Sequence, residues 1–197
     1  MEEIERRIRE EIRREGSISF ARFMERALLE PGLGYYATPE RRAGRSGDFM
    51  TAPELHPILG AAIAQLAAAA WERLGRPTTF RWREHGAGEG TLLLAALDYL
   101  ARAGHPLLGA LEVSVTEANP HRLDDLAAAL SRRPGGGPRL VAAGSPPVAG
   151  IVVARWSCKH STRIIMRFGQ RPNMISCGLR RKNYPSVSFT TIRRLVA

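Results

Sequence analysis

A chain of 197 residues with 44% apolar content can bury a core, which excludes disorder throughout and predicts one domain, or a domain with an arm. No apolar run approaches the roughly 20 residues of a membrane-spanning helix; the longest candidate, 58–71, is alanine-rich and interrupted by Gln65, so no membrane association is expected. The net charge of +10 would suit nucleic acid, yet the first 150 residues balance 19 acidic with 19 basic side chains, and the whole excess follows Gly150.

At the start of the chain Ile4, Ile8 and Ile12 recur every four residues among Glu and Arg, which predicts a docking helix with a narrow apolar stripe. This beginning is neither a secretory signal nor the acid-poor pattern of a transit peptide, and a cytoplasmic address is expected by default. Ser19 is the predicted N-cap of a second helix on which Phe20, Phe23, Met24, Ala27 and Leu28 share a face, and Pro31 and Gly32 stop it. An irregular stretch then runs from Gly44 to Glu54 and includes Gly47-Asp48-Phe49; loops of this length usually carry function. Thr51 and Glu54 fit a capping box, and Pro57 fits the first position of an alanine-rich helix.

A strand is predicted over 79–83, where Phe80 and Trp82 alternate with Arg81 and Arg83, unusual for a central parallel strand and a sign of one loosely covered face. It runs into Glu84-His85-Gly86-Ala87-Gly88-Glu89-Gly90, and a leucine-rich helix over 92–103 follows. Three alternate glycines allow positive φ and let a ligand approach bare main chain, while the helix N-terminus offers unpaired N–H groups. The turn therefore suits a nucleotide-like ligand; the dinucleotide fingerprint would need glycine where Thr91 stands, so NAD is the weaker choice. A second strand, 111–116, alternates Leu111, Val113 and Val115 with polar residues and delivers Glu117 to the position of a ribose-binding acid, or of a solvated strand-end glutamate. Asn119 and Pro120 cap a helix through Leu130, a Pro-Gly cluster over 134–138 ends it, and short strands are predicted at 139–142 and 151–154.

These residues carry a resemblance. Gly16 to Phe20 with Phe23 and Met24, Pro31 to Tyr36, Gly44 to Gly60 around its Gly-Asp-Phe-x-Thr-Ala-Pro-Glu core, and Glu84 to Thr91 resemble the MidA-like class I S-adenosylmethionine-dependent methyltransferases. That family includes a mitochondrial complex I assembly factor acting as a protein arginine methyltransferase. The likeness covers roughly residues 1 to 154; its N-terminal part is specific, whereas the glycine loop is shared with very many methyltransferases. It implies an α/β fold with a Rossmann-like class I methyltransferase core behind an N-terminal helical segment. It also implies S-adenosyl-L-methionine as cofactor and a protein side chain, with arginine a candidate, as methyl acceptor. Gly86, Gly88 and Gly90 would line the methionine part of the cofactor, Glu84 would hold its ammonium and Glu117 its ribose. Asp48, Thr51, Pro53 and Glu54 would close over the site.

After Ala154 the chain departs from the family: an Asn-Glu-x-x-Asp-Ala-x-Pro type stretch is replaced by Arg155-Trp156-Ser157-Cys158-Lys159-His160, and acids vanish. The expected organisation is an N-terminal helical and loop segment over 1–75, a partial cofactor-binding core over 76–154, and a disordered basic tail over 155–197. The core is expected to be incomplete, belonging to a truncated or frame-altered and catalytically impaired copy. The alternative is a non-catalytic binding module whose basic tail contacts nucleic acid or an acidic partner, weakly and without sequence preference. Cys158, His160 and Cys177 lack the paired spacing of a metal site, so no metal is expected.

Overall fold

The computed structural model describes residues 2–40, 42–134, 137–146 and 148–154, together with the backbone of 163–168 and 173–178. Strands β1 (Phe80–His85), β2 (Leu111–Thr116), β3 (Arg139–Leu140) and β4 (Gly150–Ala154) form a four-stranded sheet in the order β3-β2-β1-β4. All its pairings are parallel, with Trp82 opposite Val113 on one side and Ile151 on the other. The chain winds toward β3 after β1 and returns across β1 to β4. The carboxyl ends of β1 and β4 therefore flank the point where the winding reverses, the usual ligand crevice of such sheets. This is the Rossmann-like α/β arrangement expected.

The helices are α1 (Glu2–Glu15), α2 (Phe20–Leu29), α3 (Ala52–Leu55), α4 (Ile58–Arg73), α5 (Thr91–Arg102), α6 (Leu107–Ala110) and α7 (Pro120–Ser131). Ile63, Ala64, Ala67, Ala70 and Trp71 make one buried stripe on α4, and Leu92, Leu93, Ala96, Leu97 and Leu100 make another on α5. The two helices pack together at Gly60, where a Cβ would lie 2.6 Å from Ala95 Cβ and 2.9 Å from Leu92 O. Only glycine permits that approach. Beneath them lies the sheet face of Phe80, Trp82, Val113, Ile151 and Val153, and all five side chains belong to one buried apolar cluster.

The opposite face carries the arginines that made β1 unusual. Arg81, Glu112 and Arg139 stand in register on β1, β2 and β3, so the alternation continues across three strands as a charge ladder. Arg81 Nη2 donates to Glu112 Oε2 at 2.6 Å, Arg81 Nη1 donates to Pro146 O at 2.5 Å, and Arg139 Nε donates to Glu112 Oε1 at 3.0 Å. The two guanidiniums, Arg81 first, hold the Glu112 carboxyl below its ordinary pKa. This face is closed at Arg81, which is 6% exposed and paired, and opens along β1, where Arg83 is half-buried and His85 exposed.

Ser19 caps α2 as expected, its Oγ accepting from Arg22 N at 3.2 Å, but no residue of α2 is buried and Phe20 is 75% exposed. The shared apolar face exists in the sequence; α1 contributes little to cover it, burying Ile8 and leaving Ile12 exposed. What joins the pair is polar: Glu11, buried on α1, accepts from Arg22 Nε at 2.8 Å and from Arg26 Nε at 2.7 Å. Residues 163–168 and 173–178, within the segment expected to be disordered, form an antiparallel pair, β5 (Arg163–Phe168) and β6 (Asn173–Gly178). The other residues of 155–197, and the side chain of Cys177 with them, lie outside the described residues.

Candidate functional site

β1 extends two residues beyond its predicted end because Glu84 and His85 pair with Val115 and Thr116 on one side and with Val153 and Ala154 on the other. Gly86 N then donates to Thr116 O at 2.7 Å, and the chain leaves the sheet. Gly86, Gly88 and Gly90 take φ of 69°, 56° and 71°, a left-handed conformation at each alternate residue that explains the glycine spacing. Gly90 is the N-cap of α5, and a Cβ there would also meet Leu126 Cδ1 at 2.5 Å. At Gly88 a Cβ would meet nothing within 4 Å. The turn is therefore packed against α7 at Gly90 and open at Gly88, where a ligand can reach main chain.

Glu117 lies one residue past β2. Its Oε2 accepts from Gly88 N at 2.8 Å and its Oε1 from Asn119 N at 3.1 Å, so it is an anchor of the glycine turn and not a freely solvated glutamate. A carboxylate offers about four acceptor positions, which leaves capacity for hydroxyl donors. Glu84 is fully buried on the apolar face of β1, its Oε2 accepting from Trp82 Nε1 at 3.0 Å.

The N-terminal signature takes two forms. Thr51 and Glu54 make the expected capping box, Thr51 N and Oγ1 donating to Glu54 Oε2 at 2.7 and 2.8 Å, and Pro53 is buried in α3, which packs on α4 and α5. Asp48 is 55% exposed; its Oδ2 accepts from Tyr35 Oη at 2.7 Å and lies 3.5 Å from Arg42 Nη1. The same Arg42 guanidinium lies 4.7 Å above the Tyr35 ring, and the Asp48 carboxylate raises the Tyr35 pKa. Phe49 meets the Tyr36 ring edge-on at 6.3 Å.

Sequence reasoning missed the residues that join this segment to the glycine turn. Asn119, 3% exposed, donates through Nδ2 to Tyr36 O and Thr38 O, each at 2.8 Å, while its Oδ1 caps α7 at His121 N. Arg122, 7% exposed, reaches Glu89 Oε1 of the turn at 3.2 Å, Asp125 Oδ2 at 2.9 Å and the carbonyl of Pro39. The signal available was an arginine in the first turn of a helix, where the macrodipole disfavours a cation and a specific partner is called for. Two of the histidines serve local structure: His56 Nδ1 and His105 Nδ1 accept from Ile58 N and Leu107 N at the start of α4 and α6. Among the described residues no group of three His, Cys, Asp or Glu could hold a metal, and no helix is long and apolar enough to cross a membrane.

The chain is similar to known proteins across this region. Residues 62–164 match a family described as putative S-adenosyl-L-methionine-dependent methyltransferases. The NDUFAF7 homolog of Drosophila melanogaster, a mitochondrial protein arginine methyltransferase by name, is 34% identical over 97 residues, which is 49% of this chain and 22% of that protein. Human mitochondrial NDUFAF7 is 33% identical over 96 residues, again 49% and 22% of the two chains. The match thus spans under a quarter of either relative. A crystal structure of a COG1565 superfamily member from Burkholderia thailandensis, bound to S-adenosyl-homocysteine, superposes with a TM-score of 0.60 at 27% identity, covering 99% of this chain and 53% of that one. The expectation of a cytoplasmic address is corrected by the relatives, which are mitochondrial proteins; it rested on a missing leader pattern, and an absence specifies no compartment. Since the family match takes in more than half of the residues and includes the strand, turn and helix just described, the chain belongs to the S-adenosyl-L-methionine-dependent methyltransferase family.

Proposed function

We propose that the chain forms the cofactor-binding part of a protein methyltransferase whose acceptor is an arginine side chain. The observation that supports this most is the turn of three left-handed glycines at the carboxyl end of the central strand, open at Gly88 and tied by its N–H to Glu117. In this reading Gly86, Gly88 and Gly90 line the methionine part of the cofactor, Glu84 takes its ammonium, and Glu117 takes ribose hydroxyls on its remaining lone pairs. Asp48, Thr51, Pro53 and Glu54 belong to the segment that closes the site. When bound, S-adenosyl-L-methionine supplies a methyl group already activated on its sulfonium. What these residues contribute is alignment and exclusion of water, not strong acid-base chemistry. The acceptor class is taken from the relatives, which are arginine methyltransferases by name.

Calorimetry with S-adenosyl-homocysteine tests the cofactor site, and no heat at millimolar ligand would refute it. Label transfer from the methyl donor to protein, followed by amino-acid analysis, tests the acceptor; label on lysine or a carboxylate would refute arginine. The comparisons do not favour the alternative of a non-catalytic binding module. Any nucleic-acid affinity is assigned to the basic residues after Gly150 and should fade with salt.

A further inference from the structure

The start of α7 touches two parts of the molecule that are distant in sequence. Toward the glycine turn it presents Arg122, paired with Glu89, and just before it Glu117 accepts from Gly88 N. Toward the N-terminal segment it presents Asn119, donating to Tyr36 O and Thr38 O, and again Arg122, donating to Pro39 O. Both Asn119 and Arg122 are buried, so their polar groups depend on these partners and neither contact can be lost to water cheaply. From Tyr36 the connection continues to Phe49 by ring contact and from Tyr35 to Asp48 by hydrogen bond. We infer that Arg122 and Asn119 are positioning residues that couple the geometry of the glycine turn to the placement of the Tyr35–Phe49 segment beside it.

The inference rests on the cofactor reading only for its consequence: ligand bound at the turn would order the N-terminal segment, and that segment would in turn tighten the ligand. The coupling itself is a property of the free protein. Glu89 touches the tether at the turn, so Glu89→Gln weakens the hold on Arg122 from that side alone. Hydrogen exchange of the ligand-free chain should then show faster exchange over 36–39 in Glu89→Gln, as in Arg122→Met. Unchanged exchange over 36–39 in Glu89→Gln, with melting temperature also unchanged, would overturn the coupling whether or not the chain binds a cofactor.

With S-adenosyl-homocysteine, the wild type should gain protection over both 86–90 and 36–39. Asn119→Ser, which cuts the two carbonyl bonds but keeps an oxygen able to cap α7 and leaves Arg122 on Glu89, should keep protection over 86–90 and lose it over 36–39, with affinity reduced about tenfold. Arg122→Lys, retaining a point charge for Glu89 without the fork that also reaches Pro39, should restore most of the affinity lost in Arg122→Met but not the distant protection. A merely structural arginine would lose both together, and that result would equally overturn the inference. Absence of ligand heat in the wild type would strike at the cofactor reading and leave the ligand-free comparison to decide this one.

Discussion

Glu117→Ala removes two acceptors at once, the Oε2 that holds Gly88 N at 2.8 Å and the Oε1 that holds Asn119 N at 3.1 Å. A hydrogen bond to a charged group contributes about 1.5–3 kcal/mol, and water at this half-exposed position recovers part of that, so the folded state should lose about 1–2 kcal/mol. The ligand loses more. Its ribose hydroxyls forfeit a charged acceptor, for about 1.5–3 kcal/mol, and the glycine turn is no longer held in place before binding, so affinity for S-adenosyl-homocysteine should fall roughly 10- to 150-fold. Glu117→Gln separates the two effects. An amide oxygen can still accept from Gly88 N, but the amide NH2 then faces Asn119 N, donor against donor. Its stability should be close to that of Glu117→Ala and its affinity intermediate. Titration calorimetry supplies the affinity and a thermal melt the stability. Unchanged affinity in Glu117→Ala, with the expected loss of stability, would mean that Glu117 supports the turn only and that the ribose lies elsewhere.

Gly88→Val forces a branched residue to φ of 56° while meeting no neighbour, so it should cost about 1–2 kcal/mol of stability and abolish measurable binding in the same calorimetric assay. Gly60→Ala brings a Cβ to 2.6 Å from Ala95 Cβ, and overpacking of this kind should cost about 1–3 kcal/mol in a thermal melt without changing ligand contacts directly. Glu112 has its pKa lowered by Arg81 and Arg139, so the ladder's contribution is complete above the ordinary carboxylate value of 4.5 and is lost as pH falls toward the folded value; Glu112→Gln should flatten that acid limb of the stability curve. Glu11, lowered by Arg22 and Arg26, has the same sign and should make the α1–α2 pair separate in acid, seen as faster exchange over 2–15 below pH 4.5.

Much of the core was legible because local pattern and final environment agree. The alternation of Leu111, Val113 and Val115 marks β2 to its true ends, and the three alternate glycines match three left-handed residues. Thr51 and Glu54 announce α3 by a contact made within four residues. What could not be read depends on partners brought together only by the fold. Arg81 and Arg83 looked anomalous because the strand gives no hint of Glu112 or Arg139, which stand beside Arg81 only once the register of three strands is set. For Arg122 the difficulty is the same: Glu89 and Pro39 come from other segments. α2 shows a different limit: its helix and its Ser19 cap are as expected, yet none of its residues is buried. Periodicity identifies which residues share a face and says nothing about whether a neighbour covers it.

The contacts around the glycine turn show how the strands and helices next to it hold it in place. Three left-handed residues in five are costly to order, and a loop of this kind left to itself would bind weakly because ligand binding would have to fix it. Here the turn is held by an acceptor, Glu117 on Gly88 N, and by a donor, Arg122 on Glu89. Gly90 is pinned against Leu126 at the same time. All three restraints come from residues 117–126, the end of β2 and the first turns of α7, so the β1-turn-α5-β2-α7 unit carries its own preorganisation. In the proposed cofactor reading, a ligand arriving at Gly88 would meet main chain already in place, and its binding energy would be left for closing the N-terminal segment over the site.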